Sequence, residues 1–268
     1  MATKIDMHLH TKGSDGWGTP TQIVKQAKAA GLDGICITDH HNTFTKEGDK
    51  VAKAAREAGL VVIRGAEYST AWGHLLVFLP EGKAIEDYDF GFYPETQDVI
   101  DAVVEAGGAA IPAHPYKGYR RRYEDRVKQL HRTAAIETIN GRVEAQSKHV
   151  NRKADAAADA RGSAKTGGSD AHDPKDIGLS YTEFTGVVRS QAQFLKALKA
   201  KKFSAVANTK CIKAKNSRER IWKSAPRKSK APKVSQPEQQ SLEDFDTWLD
   251  SRSTSTPDYD PNERKIFW

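Results

Sequence analysis

Short β-rich runs recur along the first two hundred residues, and the stretches between them carry the apolar spacing of amphipathic helices. Seven such runs fall at 4–10, 34–38, 60–64, 75–79, 109–112, 135–139 and 163–167, with helical segments near 20–30, 46–58, 95–106, 121–132, 144–160 and 190–201. Alternation of this kind predicts an α/β fold with a largely parallel sheet. The first helix is punctuated at both ends, by Thr19 as N-cap, Pro20 at the first helical position, Gln22 completing a capping box and Gly31 at the stop. Seven strands with intervening helices are close to the count of a (β/α) barrel, where functional side chains gather at the C-terminal ends of the strands.

The residues at those ends are unusual. Asp6-Met7-His8-Leu9-His10-Thr11 closes the first run. Side chains alternate across a strand, so His8 and His10 share one face while Met7 and Leu9 pack on the other, and Asp6 lies on the histidine side, placed to orient a ligand from behind. Asp15 follows in Ser14-Asp15-Gly16, then Thr38-Asp39-His40-His41 after the second run, Glu67 after the third and His74 at the start of the fourth. His114 stands in Ala113-His114-Pro115, and Asp170 and His172 in Ser169-Asp170-Ala171-His172. A lone histidine or glutamate of this kind is more often a hydrogen-bonded or solvated group than a ligand. Recurrence at successive strand ends is different, because only His131 and His149 among the nine histidines fall elsewhere. His41 is the adjacent alternative to His40.

This ordered set resembles the polymerase and histidinol phosphatase (PHP) superfamily over about residues 1–205. The resemblance implies a distorted (β/α)7 barrel of the PHP type that hydrolyses phosphate esters with two or three metal ions. It implies His8, His10, Asp15, His40, Glu67, His74, His114, Asp170 and His172 as ligands, with Glu67 bridging. Every motif position is filled, which speaks against a metal-free copy. Mixed imidazole and carboxylate donors suit Mn, Zn or Fe, and nine exceed the needs of one ion. The expected reaction is in-line attack by a metal-bound hydroxide, with Asp39, His40 or His172 assisting proton transfer. An amidohydrolase-type barrel also begins with His-x-His, but it would carry a bridging lysine where this chain offers Glu67.

Substrate features are thinner. Lys12, Lys117, Arg120 and Arg121 are the candidate phosphate clamps, the last three in a segment where cations alternate with tyrosines able to stack bases. The formal charge is +7, and ten Lys/Arg against one Glu lie in residues 203–234, followed by eight acids against three bases in 235–268. A mean hydropathy of −0.67 with 38% hydrophobic residues predicts that part of the chain is unfolded. The organisation expected is therefore a phosphoesterase barrel over 1–205 and a basic linker with an acidic tail over 206–268, largely disordered or docking. A basic tail is a nonspecific nucleic-acid contact or a solubilising tether, and residues 239–245 faintly resemble peptides that bind sliding clamps. Two cysteines, no membrane-length apolar run and a polar N-terminus predict a cytoplasmic protein. The expected substrates are nucleotides or nucleic acid, the alternatives being a small-metabolite phosphomonoesterase of the histidinol-phosphatase type or a replication accessory module with weak catalysis.

Overall fold

In chain order the elements are β1 (Thr3–Asp6), α1 (Pro20–Ala29), β2 (Gly34–Ile37), α2 (Lys46–Glu57), β3 (Val61–Arg64), β4 (Ala66–Ser69), β5 (His74–Phe78), α3 (Thr96–Glu105) and β6 (Ala109–Pro112). They continue with β7 (Ile136–Asn140), α4 (Gly141–Gln146), α5 (Lys148–Arg161), β8 (Lys165–Gly168), β9 (Ser180–Phe184), α6 (Gln191–Ala200), β10 (Phe203–Ala207) and α7 (Thr209–Ser224). The structure, a computed structural model, describes residues 1–117 and 123–224. Helix starts follow local chemistry. Thr19 and Gln22 form the expected capping box on α1, Thr45 Oγ1 accepts from Gly48 N at 2.9 Å on α2, and Ser190 caps α6.

The strands form a sheet of five in the order β10-β9-β1-β2-β3, a sheet of three, β4-β5-β6, and the pair β7-β8. No closed barrel is formed by these ladders among the described residues, and the sheet is mixed rather than largely parallel. β1-β2, β2-β3 and β7-β8 are parallel, whereas β1-β9, β9-β10, β4-β5 and β5-β6 are antiparallel. For β4 and β5 the physical reason is connection length. The turn between β4 and β5 is closed by Thr70 N and Oγ1 donating to Gly73 O at 2.8 and 2.6 Å, and no crossover helix fits there. Gly65, between β3 and β4, marks the passage from one sheet to the next. A side chain on it would sit 2.6 Å from the Phe78 ring and 2.8 Å from Val77 O.

Other expectations shift as well. β1 ends at Asp6, so His8 and His10 lie past the strand, where Leu9 makes an isolated bridge to Ala171. The helix expected near 121–132 is a 3-10 turn at Glu124–Gln129, and the one near 144–160 is broken at extended Ser147. The boundary expected at 205 cuts through β10, which pairs along its whole length with β9. α7 follows with Ile212 buried and Lys215 Nζ 2.8 Å from Asp176, and the compact unit runs to Ser224. Residues beyond 224, including the stretch that resembles a clamp-binding peptide, lie outside those described. No helix among the described residues is long and apolar enough to cross a membrane.

Inward faces of several strands meet in one core. Ile5, Cys36, Ile63, Leu76, Ile111 and Phe184 pack there with Phe194 and Leu198 from α6. Phe194 is fully buried, its ring 5.0 Å from Phe78 and 5.6 Å from Phe184. Phe194→Ala empties that contact and should cost about 3–5 kcal/mol, read as a lowered urea midpoint at unchanged slope; an unchanged midpoint would show that the ring cluster is not a stability element.

Candidate metal centre

The ligand-type residues converge from many elements onto the carboxylate of Glu67 on β4. Its Oε1 lies 2.8 Å from His74 Nδ1 and 2.8 Å from His114 Nε2. Its Oε2 lies 3.2 Å from His8 Nε2, 3.1 Å from His10 Nε2 and 3.5 Å from His40 Nδ1. Asp15 forms a second focus, 3.5 Å from His10 Nδ1, 3.6 Å from His40 Nε2 and 3.0 Å from His172 Nε2. Asp170 forms a third, with Oδ1 at 3.8, 3.7 and 3.5 Å from His8, His10 and His172. All nine expected ligand residues are thus drawn into one array. Three overlapping groups have donor atoms close enough to share an ion, namely His10/Asp15/His40/His172, His8/Glu67/His114 and His8/His10/Asp170. His74 touches Glu67 but belongs to none of the three.

Backbone conformation places several of these groups. Bridges between Leu9 and Ala171 and between His40 and Glu67 join the sheets where the ligands emerge. His114 and Asp170 carry positive φ, 28° and 55°, a conformation that costs a non-glycine residue about 1–3 kcal/mol and persists only when its surroundings hold it. Here they do. His114 N donates to Glu137 Oε2 at 2.8 Å, and Asp170 N to His8 O at 2.7 Å.

The electrostatics fit a cation. Burial by itself would raise the Glu67 carboxyl, but charge on His8 and hydrogen bonds from His10, His114 and His74 hold it well below the usual range. His8 is opposed by burial yet held well above an ordinary imidazole by Glu67, Glu137 and Asp170. Asp170 is depressed against its burial by His8, Lys117 and His114. Burial pushes His40 down to about 4, and lowers His114 and His172 as well, so these rings are neutral at pH 7. His8 Nε2 and His10 Nε2 face each other at 3.3 Å, so without a cation between them one must hold a proton. His8, held protonated by the carboxylates around it, would lose that proton to a divalent ion, so metal affinity should fall as pH falls.

Behind the array stand residues that the sequence reading passed over. Glu137 on β7 accepts from or faces His8 Nδ1 at 3.0 Å, His114 N at 2.8 Å and Asn140 Nδ2 at 3.1 Å. Asn140 Nδ2 also reaches Asp170 Oδ2 at 3.2 Å, and Arg142 Nη1 lies 3.1 Å from His172 Nδ1. Asn140 and Arg142 follow the strand-end rule at the end of β7, whereas Glu137 lies within the strand and carries no such signal. Asp6 does not orient an imidazole. Its carboxylate accepts backbone N–H groups of His8, Ser169 and Gly178 at 3.3, 2.8 and 2.9 Å, leaving the orienting position to Glu137.

Asp39 is not free for proton transfer either. Buried, it accepts from Thr11 N and Oγ1, Ser14 Oγ and Thr45 Oγ1 at 2.6–2.9 Å, which makes it the anchor of the loop carrying Asp15. Lys117 Nζ pairs with Asp170 Oδ2, and Lys12 is exposed with no ion pair among the described residues. Arg120 and Arg121 lie outside those residues. His41 is exposed, its ring 4.9 Å from Tyr68 and 6.3 Å from His40.

A mixed α/β fold whose strand ends deliver this array is that of the PHP-domain phosphoesterases, and the chain belongs to that family. The PHP domain model matches residues 6–155 and the PHP-associated model residues 148–203. Over 139 residues the chain is 34% identical to the uncharacterized protein MJ1587 of Methanocaldococcus jannaschii, covering 47% of this chain and 76% of that one. A 73-residue stretch is 40% identical to a 5′-3′ exoribonuclease of Haemophilus influenzae, covering 27% of this chain and 26% of that protein. A 75-residue stretch is 35% identical to a 3′,5′-nucleoside bisphosphate phosphatase of Chromobacterium violaceum, covering 28% and 26%. Both of these relatives act on phosphate esters, and the chain spans only about a quarter of each. In fold it is similar to a two-domain protein of Bacteroides vulgatus containing a PHP-like metal-dependent phosphoesterase, with a TM-score of 0.58 and 20% identity over 80% of this chain and 70% of that one.

Glu137→Gln keeps the shape but removes the charge facing His8, and should weaken metal binding by roughly 10–100-fold in chelator competition. Gly168→Ala should displace the same residue, since a Cβ there would sit 2.5 Å from His8 Cβ and 3.1 Å from Glu137 Oε1. Unchanged affinity in both would show that the position of His8 is not fixed from β7 and β8.

Proposed function

We propose that the chain is a metal-dependent hydrolase of phosphate esters and that its substrates are nucleotides or nucleic acid. The observation that carries the reading is the convergence of three overlapping donor groups on one array flanked by two cations, Lys117 and Arg142. His8, His10, Asp15, His40, Glu67, His114, Asp170 and His172 would hold two or three divalent ions, of which Mn, Zn or Fe suit the donors, with His74 completing the shell around Glu67. When bound, such ions lower the pKa of water and polarise phosphoryl oxygens.

The chain's own residues set the rest of the chemistry. Glu137 and Asn140 fix His8 and Asp170 so that their donor atoms point inward. Arg142 beside His172, and Lys117 where it can leave Asp170, present positive charge next to the array, where non-bridging phosphate oxygens would be held. His8, His10 and Asp170 form the buried floor, while Asp15, His40, His74 and His172 are partly open at the mouth. Neutral imidazoles at that mouth can accept a proton, so His40 and His172 remain the groups proposed for proton transfer. Asp39 is given to the loop instead.

The nucleotide reading is supported by the relatives that act on nucleotides and RNA, and by the rings that lead away from the mouth. His41 meets Tyr68 at 4.9 Å, Tyr68 meets Phe90 at 5.7 Å, and Phe90 stacks on Tyr88 at 5.5 Å. On another side Trp17, 77% exposed, is tied to the array by Trp17 N donating to His172 O at 2.8 Å. Trp17 and His41 are exposed, while Tyr68, Tyr88 and Phe90 are partly buried behind them, and exposed rings beside a phosphate site are stacking surfaces for bases.

The metal-loaded protein should turn over members of a panel of single-stranded and duplex DNA, RNA and mononucleotides, and joint His8→Ala and Glu67→Ala substitution should abolish turnover and bound metal together. Activity retained with an empty site would overturn the metal-dependent reading. Tyr68→Ala and Trp17→Ala should each raise KM for nucleotides with little effect on a small phosphate ester. Should only sugar or amino-alcohol phosphates turn over, the nucleotide reading fails while the phosphoesterase reading stands.

A further inference from the structure

A second concentration of charge lies outside the array. A cavity of about 240 Å³ is walled by Phe44, Arg56, Arg64, Lys83, Arg189 and Gln191, none of them a ligand candidate. Four of these are cations, and Glu81 is the one acid among the lining residues. Arg56, Lys83 and Arg189 make no ion pair among the described residues. Lys83 Nζ donates to Ala106 O at 3.1 Å, and Glu81 with Asp49 offsets part of the charge; the unpaired Arg56 and Arg189 leave a net positive wall that an anion would stabilise.

Arg64 sharpens the point. Its side chain is nine-tenths buried, with only Nη2 paired, to Asp49 at 2.9 Å. Nε and Nη1 are buried with no hydrogen-bond partner, and the Phe44 ring, 5.1 Å away, covers the guanidinium face but not its edges. A buried, half-partnered guanidinium is costly, and burial indeed pushes its pKa down. Yet it is held in place with care. Gln191 Oε1 accepts from Arg64 N at 3.0 Å, and Gln191 Nε2 donates to Arg64 O at 2.9 Å and Leu79 O at 2.8 Å. Those bonds also bring the N-terminus of α6, a ten-residue helix, to the cavity wall, adding partial positive charge.

We infer that this cavity is an anion site separate from the metal array, and that it takes a small phosphate-bearing molecule. Arginine forks match phosphate oxygens, which favours phosphate over a simple halide, and Phe44, 46% exposed, offers a face to an attached organic group. The cavity is smaller than the roughly 300–1,000 Å³ typical of drug-sized ligands, which fits a phosphate or diphosphate better than a nucleic-acid strand. The inference stands independently of what the metal array hydrolyses.

Hydrogen exchange on the full-length, metal-loaded protein tests it, with inorganic phosphate and pyrophosphate as probes and a 5′-phosphorylated oligonucleotide as comparison. The small anions should slow exchange in segments 43–49 and 189–193. Calorimetry should show pyrophosphate binding there weakened about tenfold or more by joint Arg56→Ser and Arg189→Ser substitution at exposed positions, and unaffected by Arg142→Ser beside the array. Slowing confined to segments 8–16, 114–117 and 170–172, or binding indifferent to the double substitution, places the anion at the metal array and overturns the inference. Slowing of the cavity segments by the oligonucleotide alone would also overturn it, by assigning this face to nucleic acid.

Discussion

A carboxylate buried to 2% exposure with five imidazoles around it is the interaction on which this molecule turns. Glu67 cannot carry its charge in that setting without compensation, which the protein supplies through the charge on His8 and hydrogen bonds from His10, His114 and His74. A charge balance of this kind is provisional. It holds the pocket together until a divalent ion takes the proton's place, and it explains why so many lone pairs can be aimed at one volume without collapse. Strain accepted at His114 and Asp170 belongs to the same requirement, since a relaxed φ at either would turn a donor away from the array.

Carboxylates of one chemical type do three different jobs here, and burial alone does not separate them. Asp6 and Asp39 are as buried as Glu67 and Asp170, but their oxygens are spent on backbone N–H groups and hydroxyls. They fix the loops from which ligands project. Glu137 stands between the two groups, accepting from the backbone of His114 while facing the ring of His8. What distinguishes a ligand from its support is whether its lone pairs already have donors, which is a property of neighbours distant in sequence.

That distinction marks the limit of what the sequence could disclose. The candidate ligands could be picked out because polar residues at the ends of β-rich runs mark most of them, with His74 at the start of its run, without knowledge of which strand lies beside which. Sheet connectivity was not legible. β4, β9 and β10 are short runs without strong apolar alternation; β4 and β10 pair with the neighbouring strands β5 and β9, but β9 is also joined to β1, whose residues stand far away in the chain. The same holds for Asp39, whose hydroxyl partners Thr11, Ser14 and Thr45 converge only in the fold. α7 was obscured by its charge. Its basic face reads as tail, while buried Ile212 and the ion pair of Lys215 with Asp176 attach it to the unit.

The array is closed at the floor and open at the mouth, and this asymmetry separates two questions that the residues answer differently. Fully buried His8, His10 and Asp170 have no contact with solvent, so their constraint is the ion alone. Asp15, half exposed, together with His40, His74 and His172, meets whatever approaches. Around that rim stand Trp17, His41 and Tyr68, side chains that neither hold the floor nor are needed to bury it. Substitution at the rim can therefore alter which phosphate ester is accepted without disturbing the ion-binding floor. Selectivity for the organic part of a substrate has to come from that outer ring of aromatics and cations, because the buried donors can read nothing beyond the phosphate.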